Sequence, residues 1–482
     1  MRPYILGQLT RDLAAAVGSE HVSSDPRVVT EQATDWSWMS QYLSYRDLPL
    51  PTADVAVWPT TTEEVESVVR IASEYRVPVI PRGGGSGTQG GTFALYGGIA
   101  VDMTRMNRII DIDETSLVAT VQAGVDGAVL EKELNPLRLT LAHYPGSHHL
   151  GATIGGSLAA RGSGVVSTKY GKAEDMVLQA EAVVPPGRRV RTLPIPSHAA
   201  GPDLLQTLVG SEGTLGLITE VAVRLDPLPK GRRFLSYRFD DVEDGLEAAR
   251  RIMTKRVVPA AMRLYDEADS AKLTEMIDVG TDGVLLVIVL DGTDDTMMAV
   301  EHEAIAAECT NGSDLGRGPA ESWWDGKYEP YRDGNAPAPP LLFGTTDTCA
   351  RFVDLPRLYH AKKAAIEEGF AEYGARYTAH FSHWYPWGGM IYDRFYVDNP
   401  PEDPDEALAL HDRLWDAAVH TSLANGGIIN DHHGVGLKLG RFMRPQHGEA
   451  FELMLAIKHA WDPDGIMNPG KLGFGAPRAA AG

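Results

Sequence analysis

The first feature of the chain that could carry chemistry is a glycine loop that follows a short apolar run. Residues 81–91 read Pro-Arg-Gly-Gly-Gly-Ser-Gly-Thr-Gln-Gly-Gly, directly after the predicted strand Val77–Ile80. Consecutive glycines let backbone N–H groups converge on an anion such as a pyrophosphate. The segment contains G-x-G-x-x-G, but residues 90–98 are too rich in glycine to begin the helix of a Rossmann site. The sequence predicts an anion-binding loop outside a Rossmann fold, with a flexible surface turn as the alternative.

Two further clusters combine glycine with hydroxyl side chains. Residues 145–157 read Pro-Gly-Ser-His-His-Leu-Gly-Ala-Thr-Ile-Gly-Gly-Ser, and residues 210–216 read Gly-Ser-Glu-Gly-Thr-Leu-Gly. Glycine contributes 50 of 482 residues, above the usual level of about 7%. It concentrates in these clusters and near the C-terminus. This distribution favours a part that holds a large polar cofactor, built from both ends of the chain, and a substrate cap between them.

Helix and strand signals alternate around the clusters, which is typical of α/β or α+β proteins. The predicted elements are a helix over Ile5–Val17, an extended stretch over Tyr45–Pro51, a helix started by the capping box Thr61–Glu64, strands over Ile99–Met103, Leu117–Ala123 and Val284–Leu290, helices over Asp244–Thr254, Glu301–Glu308 and Asp405–Leu423, and a loop over Gly334–Pro340. We predict an α+β fold with an N-terminal segment (1–50), a cofactor domain (51–228), an α/β cap domain (229–425) and a C-terminal segment (426–482).

Composition excludes several classes of protein. The formal charge of −21 disfavours nucleic acid and anionic membranes as partners. Cys309 and Cys349 are too few for a disulfide framework or a zinc ribbon. The longest apolar run, residues 284–290, is far shorter than the roughly 20 residues of a membrane span. No secretory signal is visible at residues 1–9, so we expect a cytoplasmic protein. We also expect a small-molecule substrate and no metal site.

The three glycine clusters, in this order and spacing, resemble the flavin domain of the FAD-linked oxidase family, the vanillyl-alcohol oxidase and p-cresol methylhydroxylase type. Residues 462–472, Asp-Pro-Asp-Gly-Ile-Met-Asn-Pro-Gly-Lys-Leu, resemble its C-terminal signature. The resemblance covers about residues 45–225 and 425–473. It implies FAD, a two-subdomain FAD-binding domain of the p-cresol methylhydroxylase (PCMH) type, and a C-terminal segment that returns to the flavin. We also expect a homodimer.

The resemblance also implies which residues contact FAD. They are Pro81, Arg82, Gly83, Gly84, Gly85, Ser86, Gly87, Thr88, Gln89, Gly90, Pro145, Gly146, Ser147, His148, Gly151, Ala152, Thr153, Gly155, Gly156, Arg161, Gly164, Glu212, Gly213, Gly216, Ile218 and Lys471. Covalent members of the family often use a histidine in the first loop or a cysteine in the second cluster. This chain has neither, so noncovalent FAD is expected, and a histidyl linkage through His148 or His149 is the alternative.

Within the family, residues 430–436 (Asn-Asp-His-His-Gly-Val-Gly) resemble the His-His-His-Gly-Val-Gly motif of the alkyldihydroxyacetonephosphate synthase branch, with Asp431 replacing the first histidine. That branch implies functional roles for Arg263, Arg332 and an acid/base Tyr392. The glycolate and D-lactate dehydrogenase branch fits less well because its Glu-His-Gly-Ile-Gly glutamate is missing. Its metal-associated histidine motif is also not visible.

For the reaction, the family implies a hydride taken by flavin N5 from an alcohol carbon. Tyr392 is the expected base, with Arg263 or Arg332 lowering its pKa and fixing an anionic group, while His432 and His433 share the proton. Adjacent histidines in an extended chain point to opposite sides, so we expect one of them to reach the flavin. Arg263 has a structural alternative, an ion pair with Asp266.

Other readings stay open. One alternative is an alkylglycerone-phosphate synthase-like transferase, in which flavin N5 attacks a substrate carbon and an acyl group is exchanged for an alkyl group. A second is a D-2-hydroxy acid dehydrogenase. The expected electron acceptor is oxygen or a carrier.

Two side-chain patterns bear on the substrate and on metal binding. Trp384, Tyr385 and Trp387 fit either an aromatic substrate or core packing. His380 and His383 are spaced for a metal, but they lack a visible carboxylate partner, which favours packing or substrate contact.

Overall fold

Three main β-sheets form the framework of the fold, and helices pack against them. The computed structural model describes residues 3–276, 282–329 and 337–477. Its strands are β1 (Val22–Ser23), β2 (Val55–Val57), β3 (Val79–Arg82), β4 (Ile99–Asp102), β5 (Ile109–Asp113), β6 (Val118–Gln122), β7 (Leu139–Thr140), β8 (Val177–Val184), β9 (Arg188–Arg191), β10 (Leu217–Arg224), β11 (Asp226–Pro227), β12 (Gly231–Phe239), β13 (Ala261–Tyr265), β14 (Val284–Gly292), β15 (Ser313–Asp314), β16 (Leu342–Arg351), β17 (Ala375–Tyr385) and β18 (Gly388–Val397).

The helices lie mainly between these strands and at the C-terminal end. They are α1 (Pro3–Val17), α2 (Pro26–Gln32), α3 (Trp38–Tyr45), α4 (Thr62–Tyr75), α5 (Gly127–Leu134), α6 (Ile154–Ala160), α7 (Ser167–Tyr170), α8 (Ala173–Met176), α9 (Leu204–Leu208), α10 (Val242–Thr254), α11 (Glu267–Met276), α12 (Asp295–Ala306), α13 (Gly318–Gly326), α14 (Leu355–Glu367), α15 (Pro404–Ala424), α16 (Met443–His447) and α17 (Ala450–Trp461). Within the described ranges, no helix combines the length and apolar character needed to cross a membrane.

Two sheets form the N-terminal half. A four-stranded sheet has the order β1-β2-β4-β3, with β2, β4 and β3 parallel, and a five-stranded antiparallel sheet has the order β5-β6-β10-β8-β9. Helices α1 and α4 bury their apolar faces in the core of the first sheet. Thr61 caps α4 by accepting the Glu64 N–H, while the Glu64 carboxylate bonds the Thr60 N–H at 2.6 Å rather than that of Thr61.

A seven-stranded antiparallel sheet, which we call the cap sheet, forms the second half, in the order β15-β12-β14-β13-β17-β18-β16. Strand β14 is apolar on both faces because alternate residues enter two cores. Leu286 and Ile288 pack in one core with residues of α10 and α14. Val287 and Val289 pack in the other with Trp323 of α13.

The C-terminal segment returns to the glycine loop. The Val79 N–H donates to the Ile466 carbonyl, and the Asn468 N–H donates to the Val79 carbonyl, both at 2.8 Å. Residues 83–98 contain no helix, as predicted from their glycine content. The α+β class and the return of the chain end to the flavin domain are confirmed, and the domain boundaries stay a proposal.

Several element boundaries differ from prediction for local reasons. The helix expected at Glu301–Glu308 is α12, which begins earlier because the Asp294 side chain caps the N–H groups of residues 296 and 297. Residues 45–51 contain the end of α3 and no strand. Residues 334–336 of the loop predicted over 334–340 lie outside the described residues.

Candidate active site

A cavity of about 900 Å³ lies between the glycine clusters and the cap sheet. Every residue predicted to contact the cofactor lines this cavity except His148, Gly151, Arg161 and Lys471. The N-terminal segment also contributes, through Trp36, Ser37, Trp38, Met39 and Gln41, and no sequence motif predicts this.

The glycine loop is shaped by close backbone approach. A Cβ on Gly84 would lie 1.9 Å from the Gly151 carbonyl oxygen, and one on Gly83 would lie 2.4 Å from Thr153 Oγ1. Buried polar atoms in the same wall, Arg82 Nε and Gln89 Oε1, have no hydrogen-bond partner. A cradle closed to side chains and lined by unsatisfied polar atoms fits a large polar group such as the FAD diphosphate.

A buried carboxylate fastens the C-terminal segment to this loop region. Glu212 accepts hydrogen bonds from the N–H groups of Val435 (2.5 Å) and Gly436 (2.8 Å). Burial raises the pKa of Glu212 to about 7. Lys471 donates to the Phe93 carbonyl at 2.7 Å, and burial lowers its pKa to about 8. Lys471 therefore braces the loop from behind the cavity wall.

The other predicted cofactor residues outside the lining have local contacts. The His148 ring packs against Gly127 at the start of α5, and burial lowers its pKa to about 4. Arg161 lies 3.7 Å from the Glu174 carboxylate and donates to Gln206. Gly151 contributes to the cradle through its carbonyl.

Tyr392 lies where the cap sheet meets the C-terminal segment. The strand register places it between Asp347 of β16 and His380 of β17. Its ring stacks on His380, with the ring centres 4.8 Å apart, and lies 5.4 Å from the His433 ring and 6.1 Å from the His432 ring. All four aromatic side chains line the cavity.

Asp347 contacts both of the adjacent histidines, which therefore lie on the same side of the site. It accepts from the N–H groups of Asp431, His432 and His433 at 2.6–3.3 Å. It also contacts Nδ1 of His433 at 2.7 Å and Nδ1 of His432 at 3.0 Å. Both rings line the cavity, because residues 431–433 form a turn around one carboxylate instead of the extended strand that was expected. Which of the two histidines reaches the flavin stays a prediction.

Asp431, which replaces a histidine of the motif, is bonded on all sides. Its Oδ2 lies 3.2 Å from His383 Nδ1 and 3.1 Å from His432 Nδ1. Its Oδ1 accepts from Tyr385 and Cys349, both at 2.9 Å, and lies 3.4 Å from Lys172 Nζ.

These contacts set the charges of the cluster. Burial opposes ionisation of Asp431, but the bonds from both histidines and the Lys172 charge hold its pKa well below the usual value. Burial disfavours the charged form of His432 as well, yet Asp347 and Asp431 together raise its pKa to about 9. Burial lowers the pKa of His383 to about 4. The cluster thus holds one histidine cation between two carboxylates.

Cationic side chains occupy the neighbouring wall. Arg263 lies over the Trp323 ring at 5.3 Å, and its Nε has no hydrogen-bond partner. The alternative pairing with Asp266 is wrong, because that carboxylate instead accepts from the N–H groups of Asp269 and Ala379 and from the Tyr359 hydroxyl.

A second arginine in this wall was not predicted. Arg394 pairs with Asp269, and its Nε also lacks a partner. Lys272 lines the cavity beside them. Arg332, the other predicted arginine, lies outside the described residues.

His143 is another cavity residue that sequence reasoning missed. Its side chain is buried, and neither ring nitrogen has a hydrogen-bond partner. Burial lowers the pKa of His143 to about 3, so the ring is neutral. The sequence feature that could have identified His143 is its position two residues before Pro145, the first residue of the second glycine cluster.

The aromatic residues 384–387 do not form a substrate pocket. Trp384 is fully buried, packs on Phe381 and donates to the Met262 carbonyl at 2.8 Å. Trp387 is exposed and stacks on Tyr385. None of the three lines the cavity, so core packing is the correct reading of Trp384.

Two groups in the cluster have the composition of metal sites. The ligand atoms of Asp347, His432 and His433, and those of His383, Asp431 and His432, lie within 4.8 Å of one another. His383 therefore has the carboxylate partner that the sequence did not reveal. The same atoms bond each other, and the Lys172 ammonium opposes a further cation at Asp431. We interpret the cluster as a hydrogen-bond network, and the absence of a metal stays a prediction.

Comparison with known proteins fits this architecture. The FAD binding domain family matches residues 53–193, and the FAD linked oxidases, C-terminal domain family matches residues 228–472. An uncharacterized FAD-linked oxidoreductase of Escherichia coli (strain K12) is 30% identical over 481 residues, covering 95% of this chain and 97% of that protein.

Two further proteins relate the chain to the branches considered above. Alkyldihydroxyacetonephosphate synthase of Trypanosoma brucei brucei is 30% identical over 454 residues, covering 87% of this chain and 73% of that protein. The structure of p-cresol methylhydroxylase with substrate bound superposes with a TM-score of 0.77 at 18% identity, covering 98% of each chain. The chain therefore belongs to the FAD-linked oxidase family, with the PCMH-type fold and FAD as its cofactor.

Proposed function

We propose that this FAD-dependent enzyme takes a hydride from the carbinol carbon of a small hydroxy compound that also carries an anionic group. The observation that carries the proposal is Arg263, a cation in the cavity wall whose Nε is buried and unbonded. The guanidinium contacts the Tyr265 phenol, but its Nε is left without an acceptor, and a buried donor without an acceptor is costly. An anionic ligand that accepts from this group relieves that cost. FAD, when bound, supplies the hydride acceptor.

The charge balance of this wall supports an anionic substrate. Arg263, Arg394 and Lys272 line the cavity with Asp269 as the neighbouring carboxylate, which leaves an excess of positive charge in a chain whose formal charge is −21. Arginine binds carboxylate or phosphate through parallel N–H···O bonds. The wall therefore suits a substrate with a carboxylate or phosphate group.

Tyr392 is the proposed base. The Arg394 guanidinium interacts electrostatically with its phenol, and a nearby cation favours the phenolate that accepts a proton. His433, 5.4 Å away between ring centres, is placed to share that proton. We therefore propose Arg394 as a cation at the base, and the roles of Arg263 and Arg332 there stay predictions.

FAD is proposed to be held noncovalently. Ser86 and Gly87 occupy the loop, and His148 packs against Gly127 away from the cavity lining. Denaturing the protein in acid should release all of the yellow cofactor into solution. Retention on the precipitated chain would contradict this proposal.

A transferase of the alkyldihydroxyacetonephosphate synthase kind is the second candidate. The 30% identity to the trypanosome synthase and a cationic wall that also suits a phosphate favour it. Asp431 in place of the motif's histidine counts against it. An acyl-bearing ketone phosphate that exchanges its acyl group without net reduction of the flavin would select this candidate.

The test compares Arg263→Met with Arg232→Met. Arg232 lies over the Trp324 ring at 4.5 Å, so both arginines have a similar aromatic contact, but Arg232 does not line the cavity. Loss of a charged hydrogen bond of 1.5–3 kcal/mol should reduce kcat/KM for an anionic hydroxy compound by roughly 10- to 150-fold in Arg263→Met. Equal effects of the two substitutions, or none at Arg263, would reject the proposal.

A further inference from the structure

The His432 ring is clamped between two buried carboxylates. We propose that Asp431 is a positioning residue that, with Asp347, keeps His432 a fixed cation whose Nε2–H bonds the hydroxyl oxygen of the substrate. This inference rests on the proposed function for the identity of that oxygen. It assigns His432 the role of a hydrogen-bond donor and leaves proton removal to Tyr392 and His433.

The clamp follows from the contacts of one nitrogen. His432 Nδ1 lies 3.0 Å from an oxygen of Asp347 and 3.1 Å from an oxygen of Asp431. A nitrogen lone pair facing two carboxylates would be repelled, so Nδ1 carries the proton. The opposite nitrogen, Nε2, is then the one available to the cavity, which the His432 side chain lines.

Both carboxylates are held in place. Three backbone N–H groups and the His433 ring bond Asp347. Tyr385 and Cys349 bond the second oxygen of Asp431, and Lys172 lies beside it. Neither carboxylate can turn away from His432 without leaving buried donors unpaired, which is unfavourable.

The surrounding groups do not cancel this charge arrangement. Those that face His432 from the packed elements are Asp347, Asp431, His143, His383, Tyr392 and His433. His143 and His383 are neutral, because burial lowers the pKa of each to about 4 or below. The Lys172 ammonium contacts Oδ1 of Asp431 at 3.4 Å, whereas His432 Nδ1 contacts Oδ2. The two carboxylates are therefore the charged groups in hydrogen-bond contact with His432, and they favour its protonated form.

The replacement of a motif histidine by Asp431 has a direct chemical consequence. A histidine at this position would offer a neutral or cationic ring beside His432, and only Asp347 would remain as a negative neighbour. A carboxylate here favours the charged state of His432 and excludes it as a proton acceptor. Its Nε2–H then stabilises negative charge on the substrate oxygen as the hydroxyl proton leaves for the base.

The first experiment is an imidazole ¹⁵N NMR titration of EDTA-treated protein labelled at histidine, with His432 assigned by His432→Gln. The proposal predicts that His432 stays protonated from pH 6 to above pH 8. Titration of His432 near its ordinary value of 6.5 would overturn the proposal. If His432→Gln fails to fold, the full set of imidazole signals of the wild-type protein still decides the matter, because at least one histidine must stay protonated above pH 8 and none doing so would overturn the proposal.

Substitution at residue 431 supplies the second readout. Asp431→Asn should lower the titration midpoint of His432 by about 1–3 pH units, the effect of removing one adjacent opposite charge, and move the alkaline limb of the pH–rate profile down with it. Asp431→Glu should restore both. An unchanged midpoint in Asp431→Asn would refute the clamp.

The two proposals fail separately. The NMR titration needs no substrate, so it tests the clamp alone. If no hydroxy compound reduces the flavin but His432 remains a cation, the proposed function fails and the clamp stands without its assigned oxygen. If hydroxy compounds reduce the flavin but His432 titrates near 6.5, only the clamp fails.

Discussion

Gly84 provides the sharpest test of the cofactor cradle. A Cβ at this position would lie 1.9 Å from the carbonyl oxygen and 2.5 Å from the carbonyl carbon of Gly151. Both atoms belong to the backbone, so the conflict cannot be relieved by turning a side chain. Gly84→Ala therefore has to push the loop away from residue 151 by more than 1 Å to reach the roughly 3.5 Å of an ordinary contact.

The size of the effect follows from the hydrogen bonds that the loop makes. Each bond from a backbone N–H to a charged phosphate contributes about 1.5–3 kcal/mol. If two loop N–H groups donate to the FAD diphosphate, a shift of this size misaligns both, and we expect FAD affinity to fall by roughly 10²- to 10⁴-fold, at about 1.4 kcal/mol for each tenfold.

Gly7→Ala is the control, since Gly7 lies in α1 and does not line the cavity. The nearest atom to a Cβ on Gly7 is Arg11 Nη1 at 3.9 Å, an ordinary contact, so FAD binding should change little. The assay is FAD titration of apoprotein by quenching of flavin fluorescence, with circular dichroism to show that both variants fold. Wild-type affinity in a folded Gly84→Ala, or an equal loss in Gly7→Ala, would refute the reasoning.

Three further predictions concern the reaction centre. Tyr392→Phe should slow anaerobic flavin reduction by roughly 10²- to 10⁴-fold, the usual contribution of a general base, and an unchanged rate in stopped-flow absorbance would remove Tyr392 from that role. The pKa of His432 in the folded protein, about 9, exceeds its ordinary value of 6.5. The contribution of His432 to the free energy of unfolding is therefore complete below pH 6.5 and is lost as pH rises through about 9. Chemical denaturation should show this loss in wild type and not in His432→Gln. Treatment with EDTA should leave activity and FAD content unchanged, since we interpret the histidine–aspartate cluster as a hydrogen-bond network, and a stoichiometric metal whose removal abolishes activity would contradict that.

The cofactor half of the site could be predicted from sequence because its chemistry lies in continuous segments. The glycine content of residues 83–91 is enough to predict that another group approaches the backbone of this loop closely. The structure adds the partner in that approach, the carbonyl of Gly151. That pairing depends on how Gly84 and Gly151, 67 positions apart in the sequence, fold together, which no local pattern encodes.

The reacting half is assembled from distant strands, and sequence reasoning recovered only part of it. Asp347 sits in the strand Leu342–Arg351 among threonines, with nothing local to mark it. Its role appears only when the register places it beside Tyr392 and a turn places His432 and His433 around it. An extended backbone would place the adjacent histidines on opposite sides. In the structure, the Asp347 carboxylate instead accepts from the N–H groups of three consecutive residues, 431–433, so both histidines lie on one side.

We propose that the enzyme oxidises a hydroxy compound bearing an anionic group. This proposal is tested by anaerobic mixing of the FAD-loaded enzyme with matched pairs, each a hydroxy acid and its methyl ester, across aliphatic and aromatic chains. We expect at least one acid to bleach the visible absorbance of oxidised flavin, at a rate that saturates with concentration, and its ester to do so far more slowly. Equal bleaching by acid and ester, or no bleaching by any hydroxy acid or hydroxy phosphate, would contradict it.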